Sequence, residues 1–443
     1  MRLTPARRLY VLGVVILVAL TICSRKFGSM GAPSFIIPLA VAGVAYLFAI
    51  RELFATAALP RRVIVIGLTL AALWHIPFLL APPGADDDIH RYLWDGRVQR
   101  LGYNPYIVVP SDPALAGLHI AETRTLNHPD LPSPYPPGAE LFFRGVTAIH
   151  ESIFTLKIAF ILCDLAIVLV LFDMLRSRRQ GLHGILAYAW NPLLAIEVAG
   201  SGHIDIVGAL LLLVSFAALG RRWRAVAALA FGLAVAVKFL PVVLLPLYWK
   251  RIRVRDGALA TLVVGLLYVP FLNHGRIPIG SLGTFVRSFR FNDPVFATLE
   301  RLASPQFAAL MAVLAGFLTA IWFRRSAKLS SEAFAWPMAA SLLCAPVIYP
   351  WYLLWLLPLV RSTSTLPLII WTVSIIPTYY VWHLRAVGRP WIVPGWAMLL
   401  EYGSLAIAGV AIVCRGFTRP SITHGPANSG NDSADMTRVS GSS

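Results

Sequence analysis

Long apolar runs constrain the fold of this chain more than any other feature of its sequence. They occupy residues 10–23, 33–50, 63–82 and 153–175. A helix needs about 20 mostly apolar residues to cross a hydrocarbon core that is about 30 Å thick. Because unpaired backbone groups are not tolerated in lipid, runs of this length predict transmembrane helices.

The same pattern predicts further membrane helices along the rest of the chain. They lie near residues 183–199, 204–220, 257–272, 305–323, 365–382 and 396–413. Two blocks, 225–249 and 333–360, are too long for one crossing, and prolines interrupt them after Lys238 and around residues 345–352. Each block is predicted to form two short helices that enter and return, which gives an all-α polytopic membrane protein with about 14 helical segments.

Composition and charge agree with a membrane protein. Hydrophobic residues make up 58% of the chain and charged residues only 13%, against about 25% charged in ordinary globular domains. The net charge of +17 does not indicate nucleic-acid binding, because the basic residues are scattered in clusters between apolar runs. Four unpaired cysteines predict neither a disulfide framework nor a metal cluster.

The distribution of these basic clusters predicts the topology. Placing the N-terminus in the cytoplasm puts most of them on that side, as the positive-inside rule requires. Residues 1–62 are then two N-terminal transmembrane helices, retained and not cleaved as a signal peptide. Residues 63–413 form the main membrane domain with a large extracytoplasmic loop at 83–152, and the polar residues 414–443 form a disordered cytoplasmic tail.

The start of the extracytoplasmic loop, "DDDIHRYLWDGRVQRLGYNPY" at residues 86–106, concentrates carboxylates between two apolar blocks. Helical spacing predicts a polar face that carries Asp88, Arg91, Tyr92 and Asp95. Ile89 and Leu93 share another face, so we expect the helix to lie along the membrane interface with its apolar side down. The acids could simply cap and solvate this helix. Tyr103, Tyr106 and Tyr135 nearby instead favour a sugar-binding site.

Several motifs resemble one known superfamily. They are "IHRYLWDGRVQRLGYNPY", "YPPGAELFF", "AWNPLLAIEVAGSGHIDIVGALLLL", "AVAVKFLPVVLLPLYW", "FNDPVFATLERL" and "YPWYLLWLLPL". In this order they look like the membrane glycosyltransferases of the C superfamily, and especially the bacterial polyprenol-phosphate-mannose-dependent mannosyltransferases. The resemblance extends over residues 63–413, and we expect the two helices before residue 63 to be additional to it.

The resemblance implies a catalytic loop outside the bacterial plasma membrane and transfer of a sugar from a lipid-phosphate donor. In these enzymes an acidic residue that opens the loop acts as the base within an Asp-x-x-x-Tyr pattern, which Asp88 and Tyr92 satisfy here. Asp87 is the adjacent alternative. The other loop residues expected to contact substrate are Arg91, Asn104, Tyr106 and Tyr135.

Cations on the outer face are candidates for binding the donor phosphate. Arg287 and Arg290 are three residues apart and project together from a helix, and Lys238 lies at the break of an apolar block. Ionisable residues inside membrane spans are functional candidates by default. The alternatives are a solvated basic face or lipid-headgroup anchor for the arginines and a snorkelling side chain for Lys238.

Further candidates lie at other helix ends. His203 and Asp205, near Glu197, could bind sugar hydroxyls, assist proton transfer or ligate a metal, or Asp205 could simply open the next helix. Tyr349 and Tyr352 could stack on the sugar or the polyprenyl chain, or belong to an interfacial aromatic belt. Asp87 and Asp88 could share a divalent ion with His203, but the resemblance implies metal-independent transfer, so we expect no cofactor.

These observations predict an inverting glycosyltransferase. It would move a hexose, which the resemblance implies to be mannose, from a polyprenyl-phosphate donor to a hydroxyl of an envelope glycolipid or polysaccharide. The alternatives are a transporter or flippase of a lipid-linked sugar and a non-catalytic assembly protein. A transporter needs charges near the bilayer midplane, whereas the densest acidic site of this chain is predicted at the outer surface.

Overall fold

The computed structural model describes residues 4–85, 88–326 and 329–418 of the chain. Throughout these ranges the regular structure is helical, and β-type pairing is limited to two isolated bridges, Asn273 with Arg276 and Phe291 with Val347. The prediction of an all-α protein is therefore confirmed. Residues beyond 418 lie outside the described residues, so the disordered tail stays a prediction.

Eighteen α-helices make up the described chain, and short 3₁₀ or π segments connect several of them. The first six helices are α1 (Pro5–Arg25), α2 (Pro33–Ala55), α3 (Arg61–Leu80), α4 (Asp88–Arg100), α5 (Pro137–Ile149) and α6 (Ile153–Ser177). The next six are α7 (Ile185–Ala189), α8 (Asp205–Gly220), α9 (Arg224–Val237), α10 (Leu245–Tyr248), α11 (Val254–Tyr268) and α12 (Leu282–Ser288). The remaining six are α13 (Pro294–Leu302), α14 (Pro305–Arg324), α15 (Glu332–Leu343), α16 (Leu366–Ser374), α17 (Tyr380–Ala386) and α18 (Gly395–Thr418).

Eight helical stretches of the described chain are long and apolar enough to cross a membrane. They are α1, α2, α3, α6, α14 and the stretches Val254–Phe271, Thr363–Ala386 and Gly395–Ile412, of which the first joins α11 to the 3₁₀ turn after it. A ninth would be the π-helical segment Leu194–Gly200 together with α8, which meet at an angle of 113°. A polytopic membrane protein is thus confirmed, but the expected count of about 14 is not. Part of the difference arises because the blocks around α9, α10 and α15 fold as shorter helices and 3₁₀ turns.

The two predicted proline breaks are present and shape the site. α9 ends at Val237, Lys238 has an extended backbone, and a 3₁₀ turn follows at Leu240–Leu244. α15 likewise ends at Leu343, before the 3₁₀ turn Pro350–Trp355. Proline lacks the N–H donor that would continue a helix. The breaks therefore leave Lys238 and the 345–352 segment at helix ends, where their side chains reach a common cavity.

The loop 83–152 folds into an ordered layer built on α4 and α5. These helices pack so closely that a Cβ atom on Gly96 would lie 2.6 Å from Thr147 Oγ1. Ile89 and Leu93 are buried as expected, but so are Arg91, Tyr92 and Asp95. The polar face predicted from the spacing is therefore covered as well as the apolar one, because α5, α6 and the rest of the loop pack around the helix. Its position along the membrane interface stays a prediction.

The N-terminal helices α1 and α2 pack against the rest of the bundle. The Tyr46 hydroxyl donates a hydrogen bond to the Ala187 carbonyl at 2.6 Å. Phe27, in the turn between α1 and α2, is fully buried against Phe78 and lies so close to Gly200 that a Cβ atom there would be 2.6 Å from its ring. Gly200 belongs to the π-helical segment, so the N-terminal pair supports a segment that leads towards the site.

Candidate active site

A cavity of about 660 Å³ lies where the loop layer meets the helix ends. Its wall is formed by the start of α4, residues 127–136, the break after α9, α12, residues 345–352 and the end of α17. Eight of the predicted site residues line it, namely Asp88, Arg91, Tyr92, Tyr135, Asp205, Lys238, Tyr349 and Tyr352. The fold therefore brings together candidates that are separated by more than 200 positions in the sequence.

Asp88 is the first residue of α4, where the helix dipole favours a negative charge. Its Oδ1 atom accepts a hydrogen bond from Asn127 Nδ2 at 2.7 Å. Burial, together with the nearby charge of Asp88, raises the pKa of Tyr135 well above its ordinary value, so this tyrosine remains a neutral hydroxyl beside the carboxylate. Asp87, the alternative base, lies outside the described residues.

A buried polar layer lies behind Arg91. Arg91 Nε donates to Asp95 Oδ1 at 2.9 Å, and its Nη1 donates to the Leu131 carbonyl at 2.9 Å. Glu140 accepts hydrogen bonds from Ser133 and from Gln99 Nε2, the latter at 2.7 Å. Burial and the charge of Asp95 raise the pKa of Glu140 well above its ordinary value. Burial raises the pKa of Asp95 as well, but the charge and the hydrogen bond of Arg91 oppose this rise. We therefore place the proton on Glu140 and leave Asp95 as the carboxylate paired with Arg91.

Lys238 and Asp205 form an ion pair on the cavity wall. Asp205 is the first residue of α8, which agrees with the helix-opening alternative. Its Oδ1 atom accepts hydrogen bonds from Lys238 Nζ and from Trp355 Nε1, both at 2.7 Å. The Lys238 ammonium also lies 3.6 Å from the centre of the Tyr352 ring. Asp205 is only 1% exposed and the Lys238 side chain 23%, so the pair is largely shielded from solvent and its opposite charges largely cancel.

Stacked aromatic rings form another part of the wall. Tyr349 stacks on Trp351 with ring centres 4.2 Å apart, and Trp351 stacks on His203 at 4.1 Å. His203 does not line the cavity but lies beneath it, with its Nδ1 atom 2.9 Å from a carboxylate oxygen of Glu197. Tyr379 donates a further hydrogen bond to Glu197. His203 is thus placed to support the ring stack and not to contact substrate directly.

Two predicted loop residues stabilise the backbone around the cavity. Asn104 Nδ2 donates to the Phe271 carbonyl at 2.8 Å. The Tyr106 hydroxyl donates to the Tyr135 carbonyl at 2.6 Å. Neither side chain lines the cavity, so the structure places both one layer away from a bound substrate.

Arg287 and Arg290 also lie outside the cavity lining. Arg290 forms two hydrogen bonds with the carboxylate of Glu300, at 2.9 and 2.6 Å, and it also donates to three backbone carbonyls of the α12 end. Arg287 is exposed. The predicted phosphate-binding pair is therefore separated: one cation is occupied by a carboxylate and the other faces outward.

Several cavity residues were not anticipated from the sequence. Arg385 and Arg389, at and just after the end of α17, line the cavity together with Trp382 and Trp391. Their only sequence signal was a pair of basic residues after an apolar run, and basic residues are common at the ends of membrane helices. Asn127 was missed because a single amide in a polar loop has no periodicity to mark it.

His128 follows Asn127 and also lines the cavity. Its backbone is left-handed, with φ of 45°, a conformation that residues other than glycine seldom adopt. Burial, aided by the positive charges of Arg385 and Arg91, lowers the pKa of this imidazole. His128 is therefore neutral at neutral pH and can offer one donor and one acceptor to a ligand.

The donor set of the cavity is poor in metal ligands. In residues 4–85, 88–326 and 329–418 no group of three or more His, Cys, Asp or Glu side chains is arranged to hold a metal ion. Asp205 is instead paired with an ammonium group. Asp87 is outside these ranges, so metal-independent transfer stays a prediction.

Three known proteins with sequences similar to this chain share one description. An alpha-(1->6)-mannopyranosyltransferase of Mycobacterium tuberculosis is 30% identical over 164 residues, which is 33% of this chain and 26% of the relative. A protein named "Probable alpha-(1->6)-mannopyranosyltransferase" from Mycolicibacterium smegmatis is 27% identical over 226 residues, 46% of this chain and 36% of the relative. Alpha-(1->6)-mannopyranosyltransferase A of M. tuberculosis is 26% identical over 331 residues, 64% of this chain and 62% of the relative. The chain thus spans less than two thirds of the length of each.

The profile of one protein family, described as "Alpha-(1->6)-mannopyranosyltransferase, N-terminal domain", matches residues 12–251. The match takes in α1 and α2, which the sequence motifs had left apart, as well as the start of α4 and the Lys238 break. The resemblance to the mannosyltransferases of the C superfamily is confirmed. Because the match covers more than half of its length, this chain belongs to the MptA_B family of alpha-(1->6)-mannopyranosyltransferases.

Proposed function

We propose that this protein is an inverting mannosyltransferase that moves mannose from a polyprenyl-phosphate donor to an acceptor hydroxyl and forms an α-(1→6) linkage. The observation that carries the proposal is that the Asp88 carboxylate shares one cavity with Arg385 and Arg389. Glycosyl transfer needs both a base and cations that stabilise a leaving phosphate. Mannose and the linkage are taken from the family and from the names of the relatives.

Asp88 would act as the general base. It accepts the proton of the acceptor hydroxyl while the oxygen bonds to the anomeric carbon of mannose. The bond between that carbon and the phosphate oxygen breaks at the same time, and the phosphate leaves with the electron pair. Attack from the side opposite the phosphate inverts the anomeric centre, so an α product requires a β-linked donor. One carboxylate suffices for this reaction.

The leaving phosphate would be bound by Arg385 and Arg389. The other cations of the cavity are already paired, Arg91 with Asp95 and Lys238 with Asp205. Among the described residues, neither Arg385 nor Arg389 has a carboxylate within ion-pair distance. An arginine without a carboxylate partner can give its full charge and a forked pair of donors to a phosphate.

The paired groups would instead recognise the sugar and the lipid. The Lys238–Asp205 pair offers a donor and an acceptor for sugar hydroxyls, and Tyr349 and Trp351 offer aromatic faces. Apolar side chains complete the wall and suit the first isoprene units of a polyprenyl chain. They include Leu240, Leu282, Phe285, Phe289 and Leu342.

The proposal places the cavity on the outer face of a bacterial plasma membrane, where an envelope glycolipid or polysaccharide would supply the acceptor. Single cysteines at positions 120 and 253, in a background without native cysteines, test this topology. We expect a membrane-impermeant thiol reagent to label position 120 in intact cells and position 253 only after lysis. Labelling of position 120 from the cytoplasm alone would contradict both the outer-face site and the lipid-linked donor.

The activity is tested with purified protein in nanodiscs. The protein is incubated with a membrane lipid extract or a short α-mannoside and with either polyprenyl-phosphate mannose or a nucleotide-linked mannose, and products are identified by mass spectrometry and NMR. We expect an α-(1→6)-mannosylated product from the lipid-linked donor alone. Equal use of the nucleotide donor would reject the donor assignment. Movement of lipid-linked mannose across vesicles without any product would support a transporter instead.

A further inference from the structure

We infer that Asn127 is a positioning residue that holds the Asp88 carboxylate in its reactive orientation. The inference rests on the proposed role of Asp88 as the base. Asn127 Nδ2 lies 2.7 Å from Asp88 Oδ1, across 39 positions of sequence, and both side chains line the cavity. No other function is apparent for this amide, since it caps no helix and lies in a loop without regular structure.

The segment that carries Asn127, residues 119–131, is fastened to α4 next to Asp88. We call this segment the strap. His90 Nδ1 is hydrogen-bonded to the Glu122 carbonyl, and Arg91 Nη1 donates to the Leu131 carbonyl at 2.9 Å. Both attachments come from the second and third residues after Asp88, and Asn127 lies between them in the strap. The attachments therefore fix the separation between Asn127 and the start of α4.

The strap is also ordered independently of α4. His119 Nε2 lies 2.8 Å from the Pro110 carbonyl, and the Ser111 amide donates to the Pro129 carbonyl at 2.9 Å. The Leu131 amide closes a turn onto the His128 carbonyl at 3.1 Å, around the left-handed His128. A left-handed residue other than glycine persists only where the surrounding structure holds it, and such residues cluster at functional sites. Because these contacts order the strap before substrate binds, placing the Asn127 amide beside Asp88 costs no conformational entropy at that step.

A neutral amide donor suits this position. It stabilises the carboxylate form and restricts its rotation, but it adds no charge that would compete for the phosphate. The other charged and titratable groups that share the cavity are Arg91, Tyr92, His128, Tyr135, Asp205, Lys238, Tyr349, Tyr352, Arg385 and Arg389. Asp86 and Asp87 precede Asp88 in the sequence. Replacement of Asn127 leaves all of these groups in place, so a change in pH dependence would report on the lost hydrogen bond.

Two replacements separate orientation from charge. Asn127→Ala removes the donor, and Asn127→Asp puts a like charge beside Asp88. We expect kcat to fall about 10-fold or more in Asn127→Ala, with the KM for polyprenyl-phosphate mannose within about 2-fold of wild type. The acidic limb of the pH profile of kcat should shift to higher pH, by about one pH unit in Asn127→Ala and by more in Asn127→Asp.

Asp130→Asn is the matched control. Asp130 lies in the same strap, is exposed and does not line the cavity, so we expect wild-type kcat and an unshifted profile. A general disturbance of the strap would lower activity in all variants without moving the acidic limb. An unshifted acidic limb in Asn127→Ala, in an active protein, would overturn the inference while leaving the proposed function intact.

Carbodiimide labelling provides a readout that does not depend on transfer. Carbodiimides react with protonated carboxyl groups, and tandem mass spectrometry distinguishes Asp88 from Asp87. We expect the labelling of Asp88 in Asn127→Ala to persist to higher pH than in wild type. Identical labelling curves would overturn the inference. If the curves shift as expected but the wild-type protein transfers no mannose, the proposed function fails and the positioning contact stands.

Discussion

Two ion pairs, Lys238–Asp205 and Arg290–Glu300, show why the presence of a basic residue in a sequence does not locate a binding site. Lys238 and Arg290 were both predicted to bind the donor phosphate, and each has a carboxylate partner, at 2.7 Å for Asp205 and 2.6 Å for Glu300. The Lys238 pair lines the cavity, whereas the Arg290 pair lies outside it. The sequence indicates that a cation is present but not whether a partner has already neutralised it.

The two pairs also differ in burial, which sets their energetic importance. Glu300 is 30% exposed on its side chain, whereas Asp205 is 1% exposed. An exposed pair contributes about 0 to 1 kcal/mol. A buried carboxylate that loses its partner is left without solvation, and this typically costs several kcal/mol. Removal of Glu300 is therefore expected to have little effect on stability, whereas removal of either Lys238 or Asp205 is expected to destabilise the cavity wall.

The largest effect is expected at Asp88, because this residue is the proposed base of the cavity. Asp88→Asn keeps the size of the side chain and most of its hydrogen bonding but removes its basicity. Transfer should fall by roughly 10²-fold or more with normal expression. The measurement is kcat with polyprenyl-phosphate mannose, and Glu300→Gln, outside the cavity, is the control that should retain wild-type kcat.

Two neighbouring carboxylates sharpen this assignment. Asp87→Asn and Asp95→Asn should retain more activity than Asp88→Asn. An inactive Asp87→Asn beside an active Asp88→Asn would move the base to the adjacent residue. Full activity of all three variants would show that the loop is not the catalytic centre.

The next effect separates the cavity arginines from the α12 arginines. Arg385→Gln and Arg389→Gln should each lower kcat/KM for the lipid-linked donor about 10-fold to 100-fold, because a charge-assisted bond to phosphate contributes about 1.5–3 kcal/mol. Arg287→Gln and Arg290→Gln are the matched controls and should leave donor kinetics unchanged. The reverse pattern would return the phosphate site to α12 and reject the cavity arginines.

Much of the fold could be predicted because lipid imposes a simple rule on the sequence. Apolar runs had to become helices, and the prolines after Lys238 and around residues 345–352 had to end them. The same rule placed Asp88 and Lys238 at helix ends, where the structure has them. Asp164, an acid within α6, has an internal partner, since it accepts a hydrogen bond from the Tyr188 hydroxyl at 2.5 Å.

The rest of the site depends on pairings between distant residues, which no local pattern shows. Arg290 looked available because Glu300, ten residues later, had no visible connection with it. Arg385 and Arg389 resembled an ordinary basic loop. The polar face of α4 looked solvent-exposed because the sequence does not show that α5 and the strap cover it. Burial of polar groups is decided by tertiary contacts, and their hydrogen bonds become visible only with those contacts.

The smallest effect is expected at Glu140, where a buried carboxyl is neutralised by a proton instead of a cation. Its pKa is raised in the folded protein, by burial first and by Asp95 second. The folded protein therefore holds a proton that the unfolded chain releases above about pH 4.5. The resulting stabilisation is complete below that pH and is lost as pH rises towards the folded pKa. The surface pair has the opposite dependence of stability on pH, since the hydrogen bond from Arg290 lowers the pKa of Glu300.

Glu140→Gln tests this sign, because glutamine resembles the protonated acid and cannot ionise. We expect thermal unfolding of Glu140→Gln in nanodiscs to be nearly independent of pH between about 5 and 8, whereas wild type loses stability over this range. At pH 8 the variant should be more stable by about 1 kcal/mol. Glu140→Ala, which leaves the buried side chains of Ser133 and Gln99 without this hydrogen-bond partner, should be less stable at every pH. If wild type and Glu140→Gln show the same dependence of Tm on pH, Glu140 is ionised in the folded protein, and the layer behind Arg91 must carry an uncompensated negative charge.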